Sequence, residues 1–129
     1  MKDFKKVVRT ELTYVPEISI GVKKPLTFRF MPLTQKQLAR FTDQATKMDI
    51  GSGKLILGTS EVEYEIARTA IVGWDNLFVE GKALEFKRGV DGKIDETLIE
   101  DLEGMFDILV EVGKYISVVS KYPDMFKGE

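Results

Sequence analysis

Residues 26–41 have the sequence LTFRFMPLTQKQLARF, and the spacing of the apolar residues changes within this stretch. In its first part, Phe28 and Phe30 alternate with polar residues, which is the period of a β-strand that buries one face. In its second part, Leu38 and Phe41 begin a series with spacings of three and four, which is the period of an α-helix. The stretch therefore predicts a strand that is followed directly by a helix.

The residues before this stretch predict further strands, so that residues 4 to 32 should form a small antiparallel sheet. An apolar period of two continues on both sides of Pro16, and this proline indicates a bulge or an edge strand. The segment Gly21–Pro25 is typical of a hairpin connection. The apolar residues that support the strands before residue 26 are Phe4, Val7, Val8, Leu12, Tyr14, Ile18 and Ile20.

The sequence from residue 35 onward predicts three helices. The first should cover residues 35–48 with Thr34 as its N-cap. The second should run from about 61 to 72, because Ser60 and Glu63 have the spacing of a capping box. Gly73 should end this second helix, and the longest helix should run from about 96 to 120.

These elements together predict the α+β class, with a small N-terminal antiparallel sheet packed by about three α-helices. A chain of this length indicates one domain over residues 1–129. Within it, residues 1–32 should be β-rich, residues 33–121 mainly helical, and residues 122–129 a mobile tail. The expected core consists of Phe28, Phe30, Leu38, Phe41, Ala67, Ile71, Trp74, Leu102, Phe106 and Leu109.

The composition argues against most enzyme classes, because the chain contains neither histidine nor cysteine. Imidazole-based general bases, Ser-His and Cys-His nucleophile pairs, and zinc sites of imidazole or thiolate are therefore excluded. Chemistry that uses only carboxylates and lysines stays open. The acidic residues from Glu96 to Asp107, however, have the spacing of a solvated helix face. We expect no catalytic residue, no cofactor and no bound metal.

Charge and hydropathy bear on the expected partners and location. Residues 1–50 contain ten Lys and Arg against five Asp and Glu, whereas residues 51–129 contain nine against sixteen. This asymmetry is too mild and too scattered to indicate nucleic-acid binding. No stretch approaches the length of a membrane span, and the N-terminus lacks the apolar core of a signal peptide. We therefore expect a cytoplasmic protein that binds neither nucleic acid nor membrane.

Three short motifs carry a family resemblance: Phe28-Arg29-Phe30, Val72-Gly73-Trp74-Asp75 and Gly81-Lys82-Ala83-Leu84-Glu85-Phe86. In this order, between a β-rich start and a terminal helix, they resemble the small tail assembly chaperones of long-tailed bacteriophages and prophages. The resemblance covers about residues 26 to 110. It departs at Ala83, where family-like sequences usually have a proline, and in the length of the last helix.

The resemblance implies a non-enzymatic protein of the host cell cytoplasm. Such a protein binds the tape-measure protein and the tail-tube protein during assembly and is absent from the finished tail. A structural virion subunit, such as a tail-completion or head-tail joining protein, is the alternative and would remain in particles. The structural subunit should also form a ring, whereas self-association of a chaperone into a homo-oligomer stays open.

Apolar side chains outside the predicted core are the candidates for partner contacts. Leu77 and Phe78 lie in a predicted loop. Tyr122, Met125 and Phe126 follow the last helix, which Pro123 should end because proline lacks the backbone donor. These apolar side chains should either pack on the fold or contact a partner.

Deleting residues 122–129 should change the free energy of unfolding by less than about 1 kcal/mol, because the segment lies outside the predicted core. The same deletion should weaken capture of the tape-measure protein in a pull-down. Unchanged capture together with a large loss of stability would show that the segment belongs to the core.

Overall fold

The computed structural model describes Asp3 and residues 9–52 and 59–122, with the side chains of 45–52 and of Thr59 left out. The strands are β1 (Leu12–Tyr14), β2 (Thr27–Phe30), β3 (Ile71–Asp75), β4 (Phe78–Val79) and β5 (Lys82–Ala83). The helices are α1 (Gln35–Ser52), α2 (Thr59–Ala70), α3 (Glu96–Glu100) and α4 (Met105–Lys121), and a 3-10 helix covers Glu17–Ser19. The predicted α+β class with an N-terminal antiparallel sheet is confirmed.

The main sheet has the order β1-β2-β3, with both neighbours antiparallel to the central β2. Its third strand comes from residues 71–75 and not from the N-terminal 32 residues, so the predicted extent of the sheet is wrong. Phe28 and Phe30 of β2 are fully buried on one face. Tyr115 of α4 meets Phe30 edge-on on that face, at 5.9 Å between ring centroids.

The motif around Trp74 is a strand, whereas the sequence predicted a helix end. Helix α2 ends at Ala70, where the Ala70 carbonyl accepts a hydrogen bond from the Met31 N–H at 3.0 Å. Ile71 and Trp74 fit the helical spacing of the preceding residues, whereas a regular strand would place them on opposite faces. The pairing of β2 with β3 shifts register between Arg29 and Phe30, and both Ile71 and Trp74 are buried. The paired backbone of β2 decides between the two.

Trp74 is nevertheless buried, as expected. Its Nε1–H donates to the Leu84 carbonyl at 2.8 Å, and its ring meets Phe28 and Phe86 edge-on. Leu84 and Phe86 are partly buried against the same core. The return segment therefore packs on the strand that precedes it, and this packing depends on the indole ring.

The start of α1 agrees with the prediction, whereas the start of α2 does not. Thr34 Oγ1 accepts from the Gln37 N–H, and Gln37 Oε1 accepts from the Thr34 N–H, which is a reciprocal capping box. Thr34 is thus the N-cap of α1, which extends four residues beyond the predicted end. Helix α2 begins at Thr59, so the predicted capping box of Ser60 and Glu63 is wrong.

The predicted helix over residues 96–120 is broken at Gly104. Gly104 has φ +79, a left-handed conformation that ends regular helix, and separates α3 from α4. The break changes which residues face the core: Ile99 and Met105 are buried. Phe106, which was expected in the core, is 41% exposed and packs its ring on Tyr64 at 4.9 Å.

Of the other predicted core positions, Leu38 and Leu102 are only partly buried against the core. The buried ones are Phe28, Phe30, Phe41, Ala67, Ile71, Trp74 and Leu109.

Helices α2 and α4 form the most extensive helix pair, and Gly113 of α4 lies against the backbone of Glu63 in α2. A Cβ atom on Gly113 would lie 1.9 Å from the carbonyl oxygen of Glu63. A backbone atom cannot move away as a flexible side chain can. Glycine is therefore required at this position by the helix crossing and not by local conformation.

Replacing Gly113 with alanine should destabilise the protein by about 1–3 kcal/mol, because the helices must separate. At an exposed position inside a helix, a change from glycine to alanine stabilises the protein by about 1 kcal/mol. The sign of the change in unfolding free energy therefore shows whether position 113 is closely packed. Urea unfolding measures it, with Val118→Ala on the exposed face of α4 as the control. A stabilised Gly113→Ala protein would contradict the close crossing.

Candidate functional site

Four exposed apolar residues lie at one end of the main sheet. Strand β1 ends at Tyr14, β2 begins at Thr27 and β3 ends at Asp75, and the antiparallel pairing places these three positions at the same end. The loop over residues 15–26 and the β4–β5 hairpin both leave the sheet there. Asn76 Nδ2 donates to the Pro25 carbonyl at 3.0 Å and joins the two segments.

We call the exposed side chains of these two segments the apolar end surface: Ile18, Ile20, Val22 and Phe78. Their exposed fractions are 75%, 69%, 52% and 57% in that order. Single exposed apolar residues are common, but four on two joined segments indicate a surface for a partner. Burying each side chain on a partner would contribute about 1.5–3 kcal/mol.

The loop that presents Ile18 and Ile20 is held by hydrogen bonds. Glu111 Oε2 on α4 accepts from the Tyr14 hydroxyl at 2.6 Å and from the Glu17 N–H at 2.8 Å. Within the loop, the N–H groups of Ser19, Ile20 and Val22 donate to backbone carbonyls three residues earlier. The loop backbone is thus ordered, while its aliphatic side chains face water.

The contact with Glu111 also changes the acidity of Tyr14. Partial burial and the hydrogen bond to the Glu111 carboxylate raise the pKa of Tyr14 to about 12. The neutral phenol is therefore strongly favoured in the folded protein, since it donates to an anionic acceptor.

The hairpin presents Phe78 in a similar way. Leu77 is buried, and its carbonyl accepts from the Leu84 N–H at 2.8 Å. Glu80 and Gly81, at the turn, both have positive φ, as a two-residue hairpin of type I′ requires. The buried Leu77 anchors the hairpin to the core and leaves the next side chain, Phe78, in solvent.

The predicted partner-contact residues do not form one surface. Leu77 is 8% exposed and offers little area to a partner, whereas Phe78 and Tyr122 are each 57% exposed. Phe78 lies at the Thr27 end of the sheet. Tyr122 follows α4 at the opposite end, where Ser120 Oγ accepts from the N–H of Leu33. Met125 and Phe126 lie outside the described residues.

The sequence patterns missed Ile18, Ile20 and Glu111. The two isoleucines continue the strand period of Leu12 and Tyr14, but the chain turns into the 3-10 helix after Pro16. Glu111 lies on the same helix face as the acidic residues that precede it, and the sequence pattern gives it no partner. Its partner Tyr14 lies 97 residues away in the chain, and no local pattern links the two.

The charged side chains around Arg68 pair with one another within the fold. The buried guanidinium donates to Glu65, to Asp91 and to the carbonyl of Ile94, at 2.8–3.3 Å. Lys93 Nζ also lies 2.9 Å from Glu65. The cluster attaches the turn over residues 89–94 to α2. Because its partners are satisfied, it is a structural contact and not a binding site.

Replacing Tyr14 with phenylalanine should change how stability depends on alkaline pH. The pKa of Tyr14 is raised on folding, so its stabilising contribution is complete below pH 10 and is lost as the pH passes about 12. The unfolding free energy of the parent should therefore fall more steeply over this range than that of Tyr14→Phe. Tyr122→Phe, which changes an exposed tyrosine, is the control. Parallel curves for parent and Tyr14→Phe would contradict the Glu111 contact.

Comparison of the chain with known family models, curated proteins and solved structures finds no match. Over residues 9–52 and 59–122, no helix has both the length and the apolar character needed to cross a membrane. In the same part of the chain, no group of three or more acidic side chains is placed to hold a metal ion. The apolar end surface is the candidate site, because its four side chains are exposed on two segments that the Asn76–Pro25 hydrogen bond joins.

Proposed function

We propose that this protein is a non-enzymatic tail assembly chaperone of a long-tailed bacteriophage or prophage. It acts in the host cell cytoplasm and binds the tape-measure protein while the tail assembles. The apolar end surface carries the proposal, because its apolar side chains face solvent on an ordered backbone. The sequence motifs that resemble the chaperone family are the second support.

The chemistry of the surface suits an amphipathic helix. Ile18, Ile20, Val22 and Phe78 can contact the apolar stripe of a helix in water. Lys23 and Lys24 directly follow Val22 and are exposed, so they can pair with acidic residues beside that stripe. A long helical tape-measure protein has many such apolar stripes. It needs to be shielded from aggregation before it is assembled into the tail.

Order in the free protein favours binding. Glu111 fixes the loop and Leu77 fixes the hairpin, so a partner does not have to order either segment. Preorganisation lowers the entropic cost of association. Phe78 then serves as the aromatic contact of the surface, and the buried Leu77 positions it.

Replacing Ile20 and Phe78 together with serine should weaken binding of the co-expressed tape-measure protein by at least about tenfold, given the area lost from the interface. The unfolding free energy should stay close to that of the parent, because both side chains are exposed. Titration calorimetry measures the affinity. The control is Val90→Ser, a fully exposed apolar residue on a different turn, which should bind like the parent.

Equal binding by the double variant and the parent would reject the apolar end surface. Mass spectrometry of purified virions tests the function itself: an assembly chaperone is absent from particles, while a structural tail-completion or head-tail joining subunit is present. The gene order provides a further check, since the proposal expects the gene between those of the major tail protein and a very long helical protein.

A further inference from the structure

A groove lies between helices α1, α2 and α4, near the end of α4 that contacts Leu33. Its volume is about 170 Å³. The side chains of Phe41, Val62 and Ile66 line it and are buried, so the groove is mainly apolar. Its other lining residues are Leu38, Thr42, Glu63, Ser117 and Lys121.

The size of the groove limits what it can hold. A cavity of about 150 Å³ accommodates a benzene molecule, whereas sites for metabolite-sized ligands have about 300–1,000 Å³. The groove therefore suits one large side chain of a protein, such as an aromatic ring.

The last turn of α4 leads the chain past this groove. Lys121, the last residue of α4, lines the groove, and the C-cap Tyr122 leaves the helical conformation. Pro123 follows and cannot continue the helix. Residues 123–129 lie outside the described part of the chain, but their attachment to Tyr122 fixes the point from which they start.

The covalent connection makes even a weak contact effective. Phe126 is five residues beyond Lys121, and five residues span at most about 18 Å. A ring on so short a tether has an effective concentration in the millimolar range at the groove. A single aromatic side chain can therefore occupy the groove without the large interface that a separate partner needs.

Lys121 is the charge that a ligand at the rim of the groove meets, because this residue is exposed. The Oε2 atom of Glu63 is buried, and the charge of Lys114 lies near the Glu63 carboxylate. The rim therefore favours an acidic group over a basic one.

This charge distinguishes two segments that are connected to the helices of the groove. Residues 53–58, which precede α2, contain three apolar residues together with Lys54 and no acid. Residues 123–129 contain Asp124 together with Phe126. The second segment thus offers both an aromatic ring and a carboxylate within five residues of Lys121.

We propose that residues 123–129 are the ligand of this groove: the ring of Phe126 fills it, and the Asp124 carboxylate pairs with Lys121. This docking is independent of the apolar end surface and of the tape-measure protein. A partner that binds Phe126 has to remove the ring from the groove, so docking and partner binding at Phe126 compete. Because the contact is small, docking adds little to stability, in agreement with the small effect expected from deleting residues 122–129.

A spin label on the full-length chain tests the docking directly. The chain has no cysteine, so Gly128→Cys carries a single nitroxide two residues from Phe126. In NMR spectra, the nitroxide should broaden the backbone amide signals of Val62 and Ser117 in the groove. The amide of Ile20, on the apolar end surface, is the internal control and should keep its intensity.

Substitutions in the labelled chain identify the docked groups. Phe126→Ser should reduce the broadening in the groove about fivefold, since loss of a buried ring lowers the docking equilibrium constant about tenfold. Lys127→Ser, in the same segment, is the matched control and should change the broadening less than about twofold. Asp124→Lys should also reduce the broadening, and Lys121→Asp in the same chain should partly restore it, because the charge pair is then reversed.

Three results would overturn the proposal. The first is equal broadening in the labelled parent and in labelled Phe126→Ser. The second is groove broadening of equal strength when the nitroxide is on a different copy of the chain, which would assign the groove to a second copy. The third is a groove whose amide shifts respond to Ile56→Ser and not to Phe126→Ser, which would assign it to residues 53–58. None of these results bears on binding of the tape-measure protein at the apolar end surface.

Discussion

The crossing of α2 and α4 at Gly113 is the constraint on which the rest of the structure depends. The Glu63 carbonyl occupies the space that any larger residue at 113 would need. Because the backbones touch there, α2 is held close to α4, and α4 in turn covers the buried face of the sheet through Tyr115 and Phe30. A helix pair this close gains dispersion contacts along its whole length, and a side chain inserted at the crossing would remove many of them at once.

Much of the fold follows from that crossing. Helix α2 leads into β3 without a loop, so the position of α2 also places the edge strand beside β2. The buried Arg68 of α2 then attaches the following turn through Asp91 and the Ile94 carbonyl. The buried guanidinium needs these partners, because a buried charge without hydrogen bonds or counter-charges would destabilise the folded protein.

The apolar end surface depends on contacts between its two segments and the core. The apolar end surface stands on two segments that are each tied to the core, by Glu111 in one case and by Leu77 in the other.

Local patterns in the sequence determined the α+β class, the β2-to-α1 transition with its Thr34 cap, and most of the apolar core, because alternation, helical spacing and capping residues act over a few neighbours. They also marked Phe78 and Tyr122 as apolar residues outside that core. Only the tertiary structure decided that Ile71–Asp75 is a strand, since the competing helix is rejected by hydrogen bonds to β2, 40 or more residues earlier in the chain. It likewise decided that Phe106 is partly exposed beside Tyr64, because a left-handed Gly104 separates α3 from α4. Glu111 holds the loop of Ile18 and Ile20 through a contact that also exists only in the folded chain. Such contacts join residues far apart in the chain, and their energy depends on a geometry that exists only when the chain has folded.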